Sequence, residues 1–367
     1  IMEQNQLSDP DVKIGFFLFL IFIALTILAF IYAAYLNRKK DKDCDFFTDN
    51  YGTIDPSIKS INSSEPDCSG NLRDYFVKSA YNCCSGGNYK DGFVDICVLK
   101  NILKQGVRFL DFEIYSIGNQ PVVASSVTDD YHYKESFNSI YFSDVIKTLQ
   151  NYAFASGSVP NPDDPLLIHF RFKSANQSMY TNFATLLSDY TDILLDRQYS
   201  YESGNINPTA QPLLNFKGKI IIIVDRNNTS FAQNQEFLEY VNVTSNSAFL
   251  RAINYSDAKN TPNVDELIKY NKRNMTIVLP DSGSNPENPS TPYCQGLGCQ
   301  FVAMRYQLND SYLEQNNDLF DKCGYAFCLK PFRLRYHPQY LKEPEKQKEE
   351  LSYANRNVST DYYSIDY

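Results

Sequence analysis

Apolar and polar positions alternate along this chain in three regimes. The first is an unbroken apolar run, Ile14–Leu36, interrupted only by Gly15 and Thr26 and free of charge. As a helix rising 1.5 Å per residue it is roughly 34 Å long, enough for a bilayer core. It exceeds a signal-peptide core, and the charged NRKKDKD follows it instead of a small-residue cleavage site. The second regime, from about Cys68 to Tyr340, alternates short apolar runs with helical periodicity. YFVKSAY, VRFLDFEIY, PVVAS, LLIHFRF, KIIIIVD, MTIVLP, CQFVAMRY and YAFCLK read as strands. Runs such as KIIIIVD carry little alternation, as strands buried on both faces of a parallel sheet do. VDICVLKNILKQ, FSDVIKTLQNYAF and MYTNFATLLSDYTDIL place apolar residues three and four apart and read as helices. Eight strands in about 270 residues predict an α/β fold, a (β/α)8 TIM-type barrel preceded by one transmembrane helix. A doubly wound sheet fits less well, because no Gly-rich phosphate loop follows the first strand. The third regime is polar: residues 37–67 read as a juxtamembrane stalk, and residues 341–367 as a solvated helix and Tyr-rich tail after a barrel spanning 68–340, with 1–13 an N-terminal tail.

Charge and cysteines refine this picture. A net charge of −9 argues against nucleic acid as a partner and leaves the lipid bilayer as the first one. Orientation draws two opposed expectations. Arg38, Lys39, Lys40 and Lys42 after the span place the bulk of the chain in the cytoplasm. Nine cysteines beyond the span, several closely spaced, and nine N-x-S/T sequons favour an extracellular or lumenal, glycosylated and disulfide-bearing domain, the side preferred here. The spacings CC, C-x4-C and C-x4-C, without a nearby histidine, do not match a common zinc site.

In order, SAYN, FLDFEIY, SIYFSDVIKTLQNYAF, DPLLIHFRF and FKGKIIII, then GCQFVAMRYQ and CGYAFCLKPFRLR, resemble both halves of the catalytic barrel of phosphoinositide-specific phospholipase C. In that resemblance the last two stretches are the final two barrel strands. It implies phosphodiester cleavage, in which one histidine deprotonates the inositol 2-hydroxyl and a second protonates the departing diacylglycerol oxygen. A calcium ion on Asn and carboxylate oxygens neutralises the phosphate.

Carried over position by position, the resemblance is incomplete. Tyr81 stands where the general-base histidine is expected, and a phenol with a reference pKa near 10 is a poor base at neutral pH. Asn82 is kept, and Asp111 and Glu113 match the acidic pair, two apart and so on one strand face. Arg171 falls where a further metal carboxylate is expected. A guanidinium cannot ligate calcium but can pair with Asp111 and Glu113 in its place, as an arginine does in the metal-independent bacterial relatives. Hence no cofactor is expected. The second histidine aligns with Ser125 counted from PVVAS, or with His132 counted back from FSDV. His169 shares a face with Arg171 and reads as a core histidine.

These substitutions favour a membrane-anchored pseudoenzyme, a structural or binding module whose mouth carries Asn82, Asp111, Glu113, Arg171 and Lys173. Those charges form either an inositol-phosphate head-group site or an internal salt-bridge network, the network being preferred. Two other readings remain: an active, metal-independent phosphoric diester hydrolase with His132 as acid, and a virion or cell-surface membrane component with protein assembly partners.

Overall fold

The computed structural model describes residues 9–128, 133–201 and 206–338, and then residues 342, 345, 346, 348, 351 and 353–366. The chain divides into a unit ending at Arg335 and a unit beginning at Tyr336. The strands of the first unit are β1 (Tyr75–Ala80), β2 (Phe109–Ile117), β3 (Gln120–Ala124), β4 (Ile140–Tyr141), β5 (Leu166–Phe172), β6 (Ile220–Val224), β7 (Val243–Thr244), β8 (Leu250–Asn254), β9 (Met275–Leu279), β10 (Phe301–Met304) and β11 (Phe327–Leu329). Its helices are α1 (Asp9–Tyr51), α2 (Ile96–Lys104), α3 (Phe142–Tyr152), α4 (Gln177–Ser188), α5 (Gln235–Leu238), α6 (Tyr255–Lys259), α7 (Val264–Arg273), α8 (Thr291–Gly296) and α9 (Ser311–Cys323).

Eight parallel strands, ordered β7-β6-β5-β2-β1-β10-β9-β8, curl into a nearly closed TIM-type barrel. Its seam lies between β7 and β8. There the backbone N–H of Ala252 donates to the Asn246 side chain (3.1 Å), and that of Ser247 to the Leu250 carbonyl (3.0 Å). Two-residue periodicity sorts the side chains. Val77, Phe109, Leu167, Ile221, Ile223, Ile277 and Phe301 fill the lower barrel, while Leu110, Phe112, Ile168, Phe170 and Ile222 pack outward against the helices. Near the C-terminal strand ends the inward row carries charge, at Asp111, Glu113, His169 and Arg171.

Two strands differ from the sequence expectation. PVVAS forms β3, which folds back antiparallel on β2 outside the barrel. YAFCLK forms β11, antiparallel to the start of β1 at the barrel's lower end, so β10 is the last barrel strand. β7 and β8 take the two vacant places. Apolar runs mark β-structure, but they do not say what a strand pairs with.

Residues 37–67 also differ from a stalk. α1 continues unbroken to Tyr51 and lies along α2, and beyond it Ile58 and Ile61 are buried. From one end to the other, Lys40 pairs with Asp95 (3.0 Å), Cys44 is disulfide-bonded to Cys97, the Asn101 amide donates to Thr48 Oγ1 (3.4 Å) and Gln105 donates to the Tyr51 carbonyl (3.1 Å). Phe47 and Tyr51 are buried there, the latter edge-on to Tyr306. The apolar window of α1 is long and hydrophobic enough to cross a membrane and has no buried side chain.

The sequons at Asn62, Asn227, Asn309 and Asn357 are exposed, whereas Asn228 and Asn242 are buried. Asn228 donates to the Phe172 and Ser174 carbonyls, and Asn242 accepts from the Ile222 N–H. In the second unit, Asn357–Ser359 and Ser364–Asp366 form an antiparallel hairpin. The expected helix after Pro338 falls mostly outside the described residues.

Candidate functional site

The C-terminal ends of β1, β2 and β5 bring the sequence-predicted residues together. Register sets Asp111 beside His169 and Glu113 beside Arg171 across β2 and β5. Arg171 binds both acids. Its Nε and Nη2 donate to Asp111 (3.0 and 2.7 Å), and its Nη1 donates to Glu113 Oε1 (2.8 Å). Nη2 also donates to the Asn82 side-chain oxygen (2.9 Å). Asn82 has a left-handed backbone (φ 45°), which asparagine tolerates better than most residues. That turn aims its N–H at Asp111 Oδ2 (3.2 Å) and its amide at Glu113 (3.4 Å).

The second oxygen of Glu113 accepts from the Tyr115 hydroxyl (2.9 Å), the Ser126 N–H (2.9 Å) and Ser126 Oγ (3.3 Å). Asp111 Oδ1 also receives His169 Nδ1 (2.8 Å). A carboxylate only accepts, so that nitrogen carries the proton. His169 Nε2 has no partner among the described residues, and its ring stacks beside Phe109. All four carboxylate oxygens are therefore occupied, and Asp111 and Glu113 are sealed from solvent.

Burial alone would raise the Asp111 pKa, but the Arg171 charge outweighs it, together with the His169 and Arg171 hydrogen bonds. The carboxyl is held well below its usual range. Tyr81 covers the assembly from above: the Arg171 guanidinium lies 4.5 Å from its ring centroid. Burial pushes the Tyr81 phenol well above its ordinary pKa, although Arg171 opposes the shift. Its ring meets Tyr89 edge-on, and the Tyr89 hydroxyl accepts from Arg305 Nε (2.8 Å).

The remaining expectations fall elsewhere. Ser125 is buried, and its Oγ donates to the Tyr89 carbonyl (3.1 Å) instead of facing the acids; its neighbour Ser126 does that. His132 lies outside the described residues. Lys173, with Nζ 3.4 Å from the Thr128 carbonyl, lines a separate cleft of about 350 Å³. Tyr81 and Arg171 form one wall of that cleft, and Asp225, Asn246, Asn254 and Asp257 form much of the rest. Sequence reading missed these last four: Asp225 and Asn246 follow β6 and β7, Asn254 ends β8 and Asp257 lies in α6, and no local motif marks them as a site. Among the described residues no group of three or more His, Cys, Asp or Glu side chains is placed to hold a metal ion.

Residues 68–226 match the family described as phosphatidylinositol-specific phospholipase C, X domain. The crystal structures of PLC21 from L. pealei and from S. officinalis are each similar at TM-score 0.58 and 16% identity, covering 73% of this chain. This chain spans 38% of the length of each. The phosphatidylinositol-specific phospholipase C of Listeria monocytogenes aligns at 14% identity and TM-score 0.43, over 71% of this chain and 96% of that one. A search of curated proteins finds no match.

Proposed function

With an X domain of phosphatidylinositol-specific phospholipase C in residues 68–226, we propose that the chain is a membrane-anchored module that does not cleave phosphoinositides by that family's mechanism. The observation that carries this reading is the Arg171 guanidinium bonded to Asp111, Glu113 and Asn82 at once. Calcium takes six to eight oxygens. Here Asp111 Oδ2, Glu113 Oε1 and Asn82 Oδ1 already accept from Arg171, so the ion does not fit this donor set. Tyr81 in the base position has a phenol even less inclined to ionise than a free one, and so is a weaker proton acceptor near neutrality.

The charges at the mouth act as an internal network that holds the barrel top together. This leaves the domain a structural or binding role on its membrane. The Cys44–Cys97 disulfide and four exposed sequons support an extracellular or lumenal side, or the outer face of a virion. Peptide mapping that finds Cys44 reduced and every sequon bare would reverse that assignment.

The activity test uses the full chain in vesicles containing phosphatidylinositol, assayed for released inositol phosphate with and without calcium. No release above protein-free vesicles is expected in either case. None is expected from Tyr81→His alone either, since Arg171 still occupies the acids. Release by the natural chain that is lost in His132→Ala would establish the metal-independent hydrolase instead.

A further inference from the structure

Two pairs of cysteines share the spacing C-x4-C, and the fold treats them oppositely. Cys294 and Cys299 lie at the end of α8, where the Cys299 N–H donates to the Cys294 carbonyl (3.1 Å), and both are fully buried. Cys299 also accepts from the Asn271 amide (3.5 Å). Cys68, Cys83 and Cys84 are buried as well. Cys323 and Cys328 are the two free cysteines among the described residues that are part-exposed.

The turn between α9 and β11 brings this second pair together. Cys323 ends α9, and Gly324 reverses the chain in a left-handed conformation (φ 79°), its N–H donating to the Phe320 carbonyl (2.8 Å). β11 then runs back antiparallel to the start of β1, with Cys328 opposite Phe76. The Cys328 thiol donates to the Cys323 sulfur, and the Tyr325 and Leu329 N–H groups are hydrogen-bonded to that same sulfur. Three donors therefore face one atom. They outweigh burial and the nearby Asp67 carboxylate, so the Cys323 thiol is held below its ordinary pKa, first by Cys328 and then by the two amides. Every other free thiol is pushed up: Cys328 by donating to Cys323, the rest by burial.

We propose that Cys323 and Cys328 form a second disulfide in addition to Cys44–Cys97, made by thiol–disulfide exchange with Cys323 as the attacking sulfur. The thiolate is the form that attacks, so the better-stabilised Cys323 goes first. It displaces one thiolate from a small-molecule or oxidoreductase disulfide, R–S–S–R, and is left as a mixed disulfide. The Cys328 thiol then gives up its proton, and its sulfur attacks the Cys323 sulfur and displaces the second RS⁻. Two protein thiols are oxidised, one external disulfide is reduced, and the two RS⁻ take up the two protons released. Closure of Cys44–Cys97 needs the same class of oxidant. The new bond ties the end of α9 to β11, the strand that backs β1 at the lower end of the barrel, whereas Cys44–Cys97 ties α1 to α2 on the flank. Cys294 and Cys299 stay reduced, because no external disulfide reaches their buried sulfurs.

The test holds the full chain in detergent micelles and a glutathione buffer oxidising enough to keep Cys44–Cys97 closed. Free thiols are then trapped with N-ethylmaleimide under unfolding conditions, and tryptic peptides are mapped without reduction. Cys323 and Cys328 fall in one such peptide, running from Cys323 to Arg333. The expected result is that peptide free of maleimide and two hydrogens lighter than its dithiol form, with Cys294 and Cys299 both alkylated. Two maleimides on it, or a link from either cysteine to Cys68, overturns the proposal. Single variants identify the attacking sulfur, and serine in place of Cys328 keeps a donor beside Cys323. Cys328→Ser should take up glutathione at Cys323 about ten-fold faster than Cys323→Ser takes it up at Cys328. Equal rates overturn the order of attack.

Discussion

Around the barrel mouth, the sector formed by β1, β2 and β5 holds two carboxylates, a guanidinium, an imidazole and an amide with almost no accessible surface, whereas the sector formed by β6 to β9 leaves an open cleft lined by Asp225, Asn246, Asn254 and Asp257. Both sectors are polar. They differ in how their charges are closed off: Asp111 and Glu113 are sealed and paired with Arg171, whereas in the cleft Asp225 is buried against Ser245 and Asp257 is exposed to solvent. A buried charge whose partner is removed loses several kcal/mol, while a solvated one loses little.

The sharpest way to break this contrast is Arg171→Met. It leaves Asp111 and Glu113 buried and unpaired, and urea unfolding of the barrel should show a loss of about 3–5 kcal/mol. If the loss is below about 1 kcal/mol, the network is not what holds the mouth together. Acid provides the next test. Asp111 is held below its unfolded-state pKa of about 3.9, so its stabilising contribution is complete above that value. The contribution drains away as pH falls from there toward the folded-state pKa. Unfolding free energies between pH 6 and 2 should fall on that limb, and Asp111→Asn, though less stable overall, should flatten it.

Tyr81 separates ring from hydroxyl. Tyr81→Ala removes both the cover over Arg171 and the cation–π contact, and should cost about 2 kcal/mol by thermal unfolding. Tyr81→Phe keeps the ring and should cost no more than about 0.5 kcal/mol. The smallest effect belongs to the open sector: Asp257→Asn should change stability by about 0.5 kcal/mol or less in the same assay.

How much of this was legible in the sequence follows from what generates each signal. β2 and β5 were readable because each strand is buried on both faces and writes a long apolar run. The pairing of Asp111 and Glu113 with Arg171 was readable because two-residue periodicity puts positions 111, 113 and 171 on inward faces, whatever the remaining topology. β7 has only two residues, and β8, at the seam, keeps four of its five residues half-exposed, so neither writes an apolar run. β3 and β11 write good runs but spend them outside the barrel. The role of Ser126 against Glu113 was not readable, since it lies past the end of β3, where strand periodicity no longer says which residue faces the acids. The open cleft was invisible for a plainer reason: Asp225, Asn246 and Asp257 are distant in sequence, and only closure of the barrel makes them neighbours.

The unbroken passage of α1 from its apolar window to the barrel flank also governs how far this domain could search from an anchor. A flexible tether of some thirty residues would let a head explore a hemisphere several nanometres in radius. If α1 spans a membrane, the stapled strut removes that freedom: the domain then travels and turns only as its anchor does, and a pull on the anchor reaches the barrel wall through Cys44 and Cys97.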